Sequence, residues 1–286
     1  MYPMSNIYLG CAIWGYRPWV GQFLPAATSN AEMLKAYAER LTTVEINATF
    51  YAVPDQPTVL RWASDTPASF RFCPKIPQAI SHSGNLAQHV AQTQAFIAQM
   101  QLLGPKLGPI FLQLGPAYSP ANFSDLQQWL AAWDRNVALA VEVRHRGWFA
   151  AQAAQRLNNL LAEHGVGRVL VDVRPINTGV TKDQVILDAR RKKPNVPYHV
   201  DVTAPFVLLR FMGHPDLAID QPLLAQWADT IVAMLNDGLT VYAFMHCPVE
   251  ERSPEMCEIL AQALVARGID YPLPTPPAPI QQLSMF

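Results

Sequence analysis

Short apolar runs alternate with longer amphipathic stretches along this chain. Several runs are nearly continuous in apolar residues, as in Ile110–Leu112 and Val207–Leu209, which is typical of parallel strands covered on both faces. We predict eight strands, over Ile7–Ile13, Thr43–Asn47, Phe70–Lys75, Pro109–Leu114, Ala138–Val143, Gly167–Asp172, Phe206–Phe211 and Thr240–His246. Stretches with helical periodicity predict seven helices, over Ser29–Leu41, Gln56–Ser64, Asn85–Leu103, Ser124–Arg135, Phe149–His164, Gln221–Asn236 and Pro254–Arg267.

This alternation predicts an α/β fold of the (β/α)8 TIM-barrel type. A doubly wound open sheet is the alternative, but the segment after the first strand, Gly10–Gly15, lacks the GxGxxG phosphate loop of that fold. Two segments interrupt the alternation: a long polar connection over Val173–Ala204 and a proline-rich stretch over Pro272–Pro279. We therefore expect a TIM-barrel domain over residues 1–271 and an extended tail over residues 272–286.

The composition narrows the function classes. Half of the residues are hydrophobic, 15% are charged and the formal net charge is −1, which excludes a disordered chain and a general polyanion binder. No signal peptide precedes the first strand, no apolar run approaches the ~20 residues of a membrane span, and the four cysteines form no CxxC pair. These features predict a cytoplasmic protein without a membrane partner.

Polar side chains gather at the carboxyl ends of seven of the eight predicted strands, which is the end where TIM barrels place their chemistry. They are Glu45, Asn47, Lys75, Gln113, Glu142, Arg144, Asp172, Arg210 and His246, with His82 shortly after the third strand. We expect a functional site at this mouth. The alternative is that Glu142–Arg144 and Glu45–Lys75 are internal ion pairs that brace the barrel.

The residue types suggest roles at this mouth. Arginine and lysine side chains, Arg174 among them, favour an anionic, phosphate-bearing ligand, and carboxylates and histidines are candidates for proton transfer. The predicted catalytic residues are Glu45, Lys75, His82, Glu142, Asp172 and His246. The predicted ligand-binding residues are Trp14, Tyr16, Asn47, Tyr51, Gln113, Arg144 and Arg210.

Three further features leave alternatives open. The cofactor is unknown: a divalent metal on the carboxylates and histidines stays an alternative, although no His-x-His or His-x3-His spacing supports it. In the first loop Trp19 and Phe23 suit packing, whereas Trp14 or Tyr16 would suit stacking on a sugar or base. The basic run Arg190–Lys193 is interpreted as a solvated charge run rather than a nucleic-acid patch.

Several segments resemble a known family. They are Gly10–Trp19, Val44–Pro54, Phe70–Pro77 with Ile80–His82, Gln113–Pro116, Val141–His145 and Leu208–Gly213. Over residues 6–267 the chain resembles the YecE-like family, catalogued as a domain of unknown function. The resemblance implies a TIM barrel and no particular reaction.

The last five residues form a second recognisable motif. Gln282-Leu283-Ser284-Met285-Phe286 resembles the pentapeptide with which bacterial replication and repair proteins bind the DNA sliding clamp. Leu283, Met285 and Phe286 would enter an apolar pocket while Gln282 makes polar contacts, and Pro272–Pro279 would act as a stiff spacer of roughly 25 Å. The alternative is a frayed terminus.

Three functional hypotheses follow. The first is a hydrolase or lyase on a phosphate-bearing substrate, nuclease-like in one form, that the tail recruits to DNA metabolism or repair. The second is a non-catalytic clamp accessory protein whose mouth holds a nucleic-acid or metabolite phosphate. The third is an enzyme of sugar or nucleotide phosphates without a DNA link, and fold alone does not choose among them.

Overall fold

The computed structural model describes residues 6–272, and within them the chain forms nine strands and eleven α-helices. The strands are β1 (Ile7–Cys11), β2 (Thr43–Ile46), β3 (Arg71–Pro74), β4 (Ile110–Gln113), β5 (Leu139–Glu142), β6 (Gly167–Arg168), β7 (Leu170–Asp172), β8 (Phe206–Met212) and β9 (Thr240–His246). The helices are α1 (Met33–Ala38), α2 (Ala48–Tyr51), α3 (Gln56–Ser64), α4 (Gln78–Ser81), α5 (Val90–Met100), α6 (Phe123–Ala131), α7 (Ala151–Glu163), α8 (Arg174–Asn177), α9 (Gln184–Lys192), α10 (Leu217–Asn236) and α11 (Ser253–Val265). Each of the eight predicted strands is present, the sixth as the pair β6 and β7.

The seven predicted helices are also present, most with shorter ends. Helix α3 has the predicted bounds because its ends are well marked: Asp55 accepts a hydrogen bond from the Thr58 amide at 3.0 Å, and a proline occupies the first turn. The connection Val173–Ala204 differs from the expectation, because it contains α8 and α9. Helix α9 is capped by Asp183 and buries only Ile186 and Ala189, so its apolar stripe is too narrow to stand out among polar residues.

All paired strands run parallel and form two sheets. The larger has the order β3-β2-β1-β9-β8-β7, and the smaller has the order β4-β5-β6. Isolated parallel bridges link β3 to the smaller sheet at Phe72–Leu107 and Lys75–Phe111. On the other side only Val169 separates β6 from β7, and its amide donates to the carbonyl of Val141 at 3.0 Å. This parallel α/β arrangement is consistent with a TIM-like barrel.

Strand alternation divides the core into two layers. One large cluster joins the helices to one strand face and includes Val44, Leu209 and Phe211. A smaller cluster, with Phe111 and Phe244 among its members, is built from the alternate strand positions. Successive side chains of a strand point to opposite faces. Polar side chains at the strand ends can therefore share one site only if they point to the same face as this smaller cluster.

Close packing of the strands depends on one glycine. A Cβ atom at Gly10 would lie 2.0 Å from the carbonyl oxygen of Thr43 on β2. Gly10 pairs with Thr43 on one side and with Phe244 of β9 on the other, so the first strand lies between its neighbours only because this position has no side chain.

Buried tryptophans anchor loops to this frame. The Trp19 indole donates to the carbonyl of Glu250 at 3.0 Å, and the Trp148 indole donates to that of Tyr118 at 2.8 Å. These bonds satisfy polar groups that would otherwise be buried without partners, and Trp19 has the packing role that its loop predicted. Within residues 6–272, no helix combines the length and hydropathy of a membrane span.

Candidate active site

Arg210 of β8 is the centre of a buried ion cluster. Its Nε and Nη2 donate to Oε2 and Oε1 of Glu45 at 2.8 and 2.9 Å, and its Nη1 donates to Oε2 of Glu142. Both carboxylates are fully buried and the guanidinium is nearly so. One arginine therefore joins β2 of the larger sheet to β5 of the smaller one, with the bidentate geometry that makes such pairs strong.

Hydrogen bonds extend this cluster in both directions. Oε1 of Glu142 accepts from Nε2 of Gln113 at 2.9 Å and from Nε of Arg144 at 2.8 Å. Oε1 of Gln113 in turn accepts from Nζ of Lys75 at 2.9 Å. On the opposite side, Nε2 of His246 lies 3.2 Å from Oε2 of Glu45. The structure therefore brings together seven of the predicted residues from six different strands and their ends.

Both carboxylates remain ionised. Burial raises the pKa of Glu142, but Arg210 and Arg144 outweigh burial and bring this pKa to about 2. The pKa of Glu45 is well below its usual range, since Arg210 and His246 outweigh the effect of burial. Burial lowers the pKa of His246 to about 4 despite the neighbouring Glu45. His246 is therefore neutral at pH 7, and since an ionised carboxylate only accepts, we assign the ring proton to Nε2.

Lys75 is a buried cation bonded to a neutral group. Its Nζ donates to the Gln113 amide and lies 4.1 Å from the centre of the Phe50 ring. Among residues 6–272 no carboxylate lies within ion-pair distance of it, so the Glu45–Lys75 pair considered from the sequence is absent, whereas the Glu142–Arg144 pair is present. Burial and Arg210 lower the pKa of Lys75 to about 8.

His82 lies beside Lys75 at the end of α4. Its ring packs edge-on against Phe50, and Nδ1 lies 2.8 Å from Oγ of Ser81. Burial, followed by the charges of Lys75 and Arg144, lowers the pKa of His82. A cleft of about 420 Å³ opens along this histidine, lined also by Asn85, Gly115, Tyr118 and Asn122. His82 thus presents an imidazole that is neutral at pH 7 to this cleft.

Asp172 lies outside this cluster. Its carboxylate binds the guanidinium of Arg174 through Nε and Nη2 and accepts the Trp227 indole at 2.8 Å. Val171, the preceding residue, pairs with Arg210 and belongs to the smaller apolar cluster. Because neighbouring side chains of a strand point to opposite faces, Asp172 points away from that cluster and towards α10. Asp172 and Arg174 anchor a helix rather than line the mouth.

The remaining predicted ligand-binding residues occupy the rim. Nδ2 of Asn47 donates to the carbonyl of Ala12 at 3.2 Å, and Tyr51 is 80% exposed. Trp14 packs edge-on against Trp62, and Tyr16 packs edge-on against Trp19. Of these, Tyr51 offers the most free ring surface for stacking.

Two site residues escaped the sequence reasoning. Lys193 is partly buried, and its charge interacts with Arg210, Glu45 and Glu250. Glu250 follows β9 and accepts a hydrogen bond from Ser253 at 3.0 Å. A signal for the burial of Lys193 was present in the sequence. The charge run ends at Lys193-Pro194 and is followed by the apolar Val196, which indicates that the chain returns to the core there.

The side chains at the mouth do not gather into a metal-binding group. Residues 6–272 contain no cluster of three or more histidine, cysteine or acidic side chains arranged to hold an ion. Glu45 and Glu142 both bind Arg210 instead.

Comparison with known proteins identifies relatives over almost the whole chain. The chain is 34% identical to the UPF0759 protein YecE of Escherichia coli K12 over 281 residues, which covers 98% of this chain and all of the relative. It is 25% identical to the UPF0759 protein YunF of Bacillus subtilis 168 over 181 residues, or 60% of this chain and 63% of the relative.

Two solved structures share the fold. A DUF72 family protein of Enterococcus faecalis V583 superimposes with a TM-score of 0.68 at 17% identity, over 93% of this chain and 97% of that one. A DUF72 family protein of Thermotoga maritima MSB8 gives a TM-score of 0.64 at 17% identity, over 92% and 100%. The family described as "Protein of unknown function DUF72" matches residues 8–281. The chain therefore belongs to the DUF72 family.

Proposed function

We propose that this chain is a TIM-barrel protein whose mouth binds an anionic, phosphate-bearing ligand, and that its C-terminal peptide recruits it to DNA metabolism or repair through the sliding clamp. The barrel part of the proposal extends the two parallel sheets to a closed ring, with Phe72–Leu107, Lys75–Phe111 and the Arg168–Leu170 segment as the joints. A closed ring would place the Arg210 cluster at the carboxyl ends of its strands.

The observation that carries the ligand proposal is the environment of Lys75. A buried cation is costly unless an anion compensates it, and here the hydrogen-bond partner is the neutral amide of Gln113. The nearby carboxylates are already engaged by Arg210, and Arg144, with a side chain 17% exposed, adds a further positive charge. A phosphate or similar anion on Lys75 and Arg144 would supply the missing negative charge.

If the protein is an enzyme, the proton-transfer roles fall to His82 and Lys75. Glu45 and Glu142 have depressed pKa values and are held by Arg210, which makes them poor bases and no source of protons near pH 7. A neutral His82 next to a lysine whose pKa is about 8 suits a hydrolase or lyase acting on a phosphate-bearing substrate.

Anion binding tests the ligand proposal. Isothermal titration calorimetry measures the affinity for sulfate. We expect sulfate to bind the wild type and Lys75→Met to weaken this binding at least tenfold. Sulfate does not titrate near neutrality, so its affinity should fall as the pH is raised from 7 through about 8, where Lys75 loses its proton. Lys35→Met removes an equal charge from an exposed position and should bind as the wild type does. Equal sulfate affinity in both variants would exclude Lys75 as the anion site.

The recruitment proposal rests on the sequence alone, because Gln282, Leu283, Met285 and Phe286 lie outside the described residues. The DUF72 match covers residues 8–281 and does not include the pentapeptide. We expect the full-length chain to bind a bacterial sliding clamp at micromolar concentration and a chain lacking residues 282–286 to lose this binding. Absence of clamp binding by the full-length chain would leave a sugar- or nucleotide-phosphate enzyme as the alternative. Clamp binding without turnover of any phosphate ester would favour a non-catalytic accessory protein.

A further inference from the structure

The segment between β7 and β8 brings a second lysine to the mouth. Its four consecutive basic residues have four different environments. Arg190 donates to the carbonyls of Ile176, Thr178 and Gly179, Arg191 pairs with Asp188, Lys192 is exposed and Lys193 is partly buried. The run is therefore not one solvated face, and its last residue turns inward.

The backbone on both sides fixes the position of Lys193. Helix α9 ends at Lys192, Pro194 is buried, and Val196 is 5% exposed within the same apolar cluster as Met212 and Phe244. Val196 thus holds the chain against the inner core just beyond Lys193. Because a residue that precedes proline adopts an extended backbone, the lysine side chain leaves the helix end at a defined point.

Lys193 forms no ion pair with a carboxylate among residues 6–272. Burial and then Arg210 lower its pKa to about 8, whereas the charges of Glu45 and Glu250 raise it. Lys193 also contributes to lowering the pKa of His246. Val196, three residues further on, lies in one apolar cluster with Met212 of β8 and Phe244 of β9, so the chain at Lys193 runs along the side of the mouth formed by these two strands.

Lys75 lies on another side of the same mouth, against Gln113 of β4 and Phe50. Arg210 is bound to both buried carboxylates, and its charge lowers the pKa of Lys75 and of Lys193. We propose that the mouth is built for a ligand with two separated anionic groups, the first held by Lys75 and Arg144 and the second by Lys193. This inference rests on the proposed anion site at Lys75 and specifies the ligand class that the site accepts.

Two-point binding has a measurable consequence. Once one anionic group of a ligand is bound, binding of the second group to its lysine is an intramolecular event. A ligand with two anionic groups at a suitable spacing therefore binds more tightly than a ligand with one, without any new contact at Lys75. The gain is greatest when the spacing of the two groups matches that of the two lysines and falls for shorter or longer linkers. A lysine is a point charge on a flexible stem, so arginine should replace Lys193 with little loss.

The experiment measures how tightly the full chain binds, at pH 7, a series of synthetic ligands that differ in the spacing of their anionic groups. Calorimetry compares methylphosphonate with alkylene bisphosphonates that contain one to four methylene groups. We expect at least one bisphosphonate to bind the wild type tenfold or more tightly than methylphosphonate. Lys193→Gln should abolish that gain while leaving methylphosphonate affinity within twofold, and Lys193→Arg should retain it. Lys192→Gln is the matched control, since it removes the same charge from the adjacent exposed position, and it should keep the gain.

The outcomes separate this inference from the proposal on which it depends. If methylphosphonate binds through Lys75 but no bisphosphonate binds more tightly, or if Lys193→Gln keeps the gain, the two-anion ligand is wrong and the single-anion site stands. If Lys193→Gln and Lys192→Gln lose affinity equally, general electrostatics explains the effect and Lys193 has no specific role. If neither probe binds the wild type, both the inference and the proposed function fail.

Discussion

At the scale of single residues, Arg210 is the side chain on which the site depends most. It holds two carboxylates that have no exposure to solvent, and removing one partner of a buried ion cluster leaves uncompensated charge. We expect Arg210→Met to lower the free energy of unfolding by about 3–5 kcal/mol in urea denaturation at pH 7. Arg146→Met, at an exposed position on the loop after β5, should change it by less than about 0.5 kcal/mol.

The carboxylates provide the internal control for this prediction. In the triple variant Arg210→Met with Glu45→Gln and Glu142→Gln, neither fully buried carboxylate is left charged without Arg210, so part of the lost stability should return, although Arg144 loses its partner Glu142. If Arg210→Met alone were as stable as the wild type, the ion cluster would not be buried as described.

The sequence revealed which residues meet at the mouth better than how they pair. Glu45, Glu142 and Arg210 were expected at one mouth because each lies near the carboxyl end of a predicted strand. The pairing was uncertain because Arg210 lies 165 residues from Glu45, and sequence separation carries no information on which cation a carboxylate contacts. The prediction that Asp172 lies at the mouth was wrong for a different reason. Asp172 also ends a strand, but its side chain points to the opposite face from that of Val171, which faces inward.

At the scale of elements, Arg190 of α9 joins this helix to the end of α8. Arg190 donates from Nε to the carbonyl of Ile176 at 2.6 Å and from Nη2 to Thr178 and Gly179 at 3.0 Å each. These carbonyls lie at the end of α8, where intrahelical donors are lacking. The sequence did not separate Arg190 from its basic neighbours, because a charge run has one pattern whatever its members contact.

Loss of Arg190 should therefore loosen this segment without unfolding the protein. We expect Arg190→Ala to increase amide hydrogen exchange in residues 177–193 at least tenfold, while the strands β8 and β9 keep wild-type protection. Arg191→Ala is the matched control, because within residues 6–272 the ion-pair partner of Arg191 is the exposed Asp188, and such pairs contribute little. Equal exchange in both variants would show that Arg190 does not hold the segment.

At the scale of the whole molecule, the first and last elements of the described part of the chain are joined. β1 lies between β2 and β9, and α11 supplies Cys257, whose sulfur lies 3.8 Å from that of Cys11. Tyr271 extends this closure: it is 4% exposed, and its hydroxyl lies 3.2 Å from Oγ1 of Thr42, which accepts the amide of Leu9 at 3.0 Å. The chain is thus committed to the folded domain as far as Tyr271.

This closure predicts where the domain ends. A chain that stops at Pro272 should unfold in urea with a free energy within about 0.5 kcal/mol of the full-length value, since Tyr271 is retained. Adding Tyr271→Ala to the shortened chain should cost about 3–5 kcal/mol, as for other large buried aromatic side chains. A loss of more than about 2 kcal/mol from the truncation alone would place part of residues 273–286 in the stabilising core and contradict a boundary at 271. If the shortened chain keeps its stability, it can also be used in the clamp-binding measurement. Any loss of binding would then come from the missing peptide and not from a change in the fold.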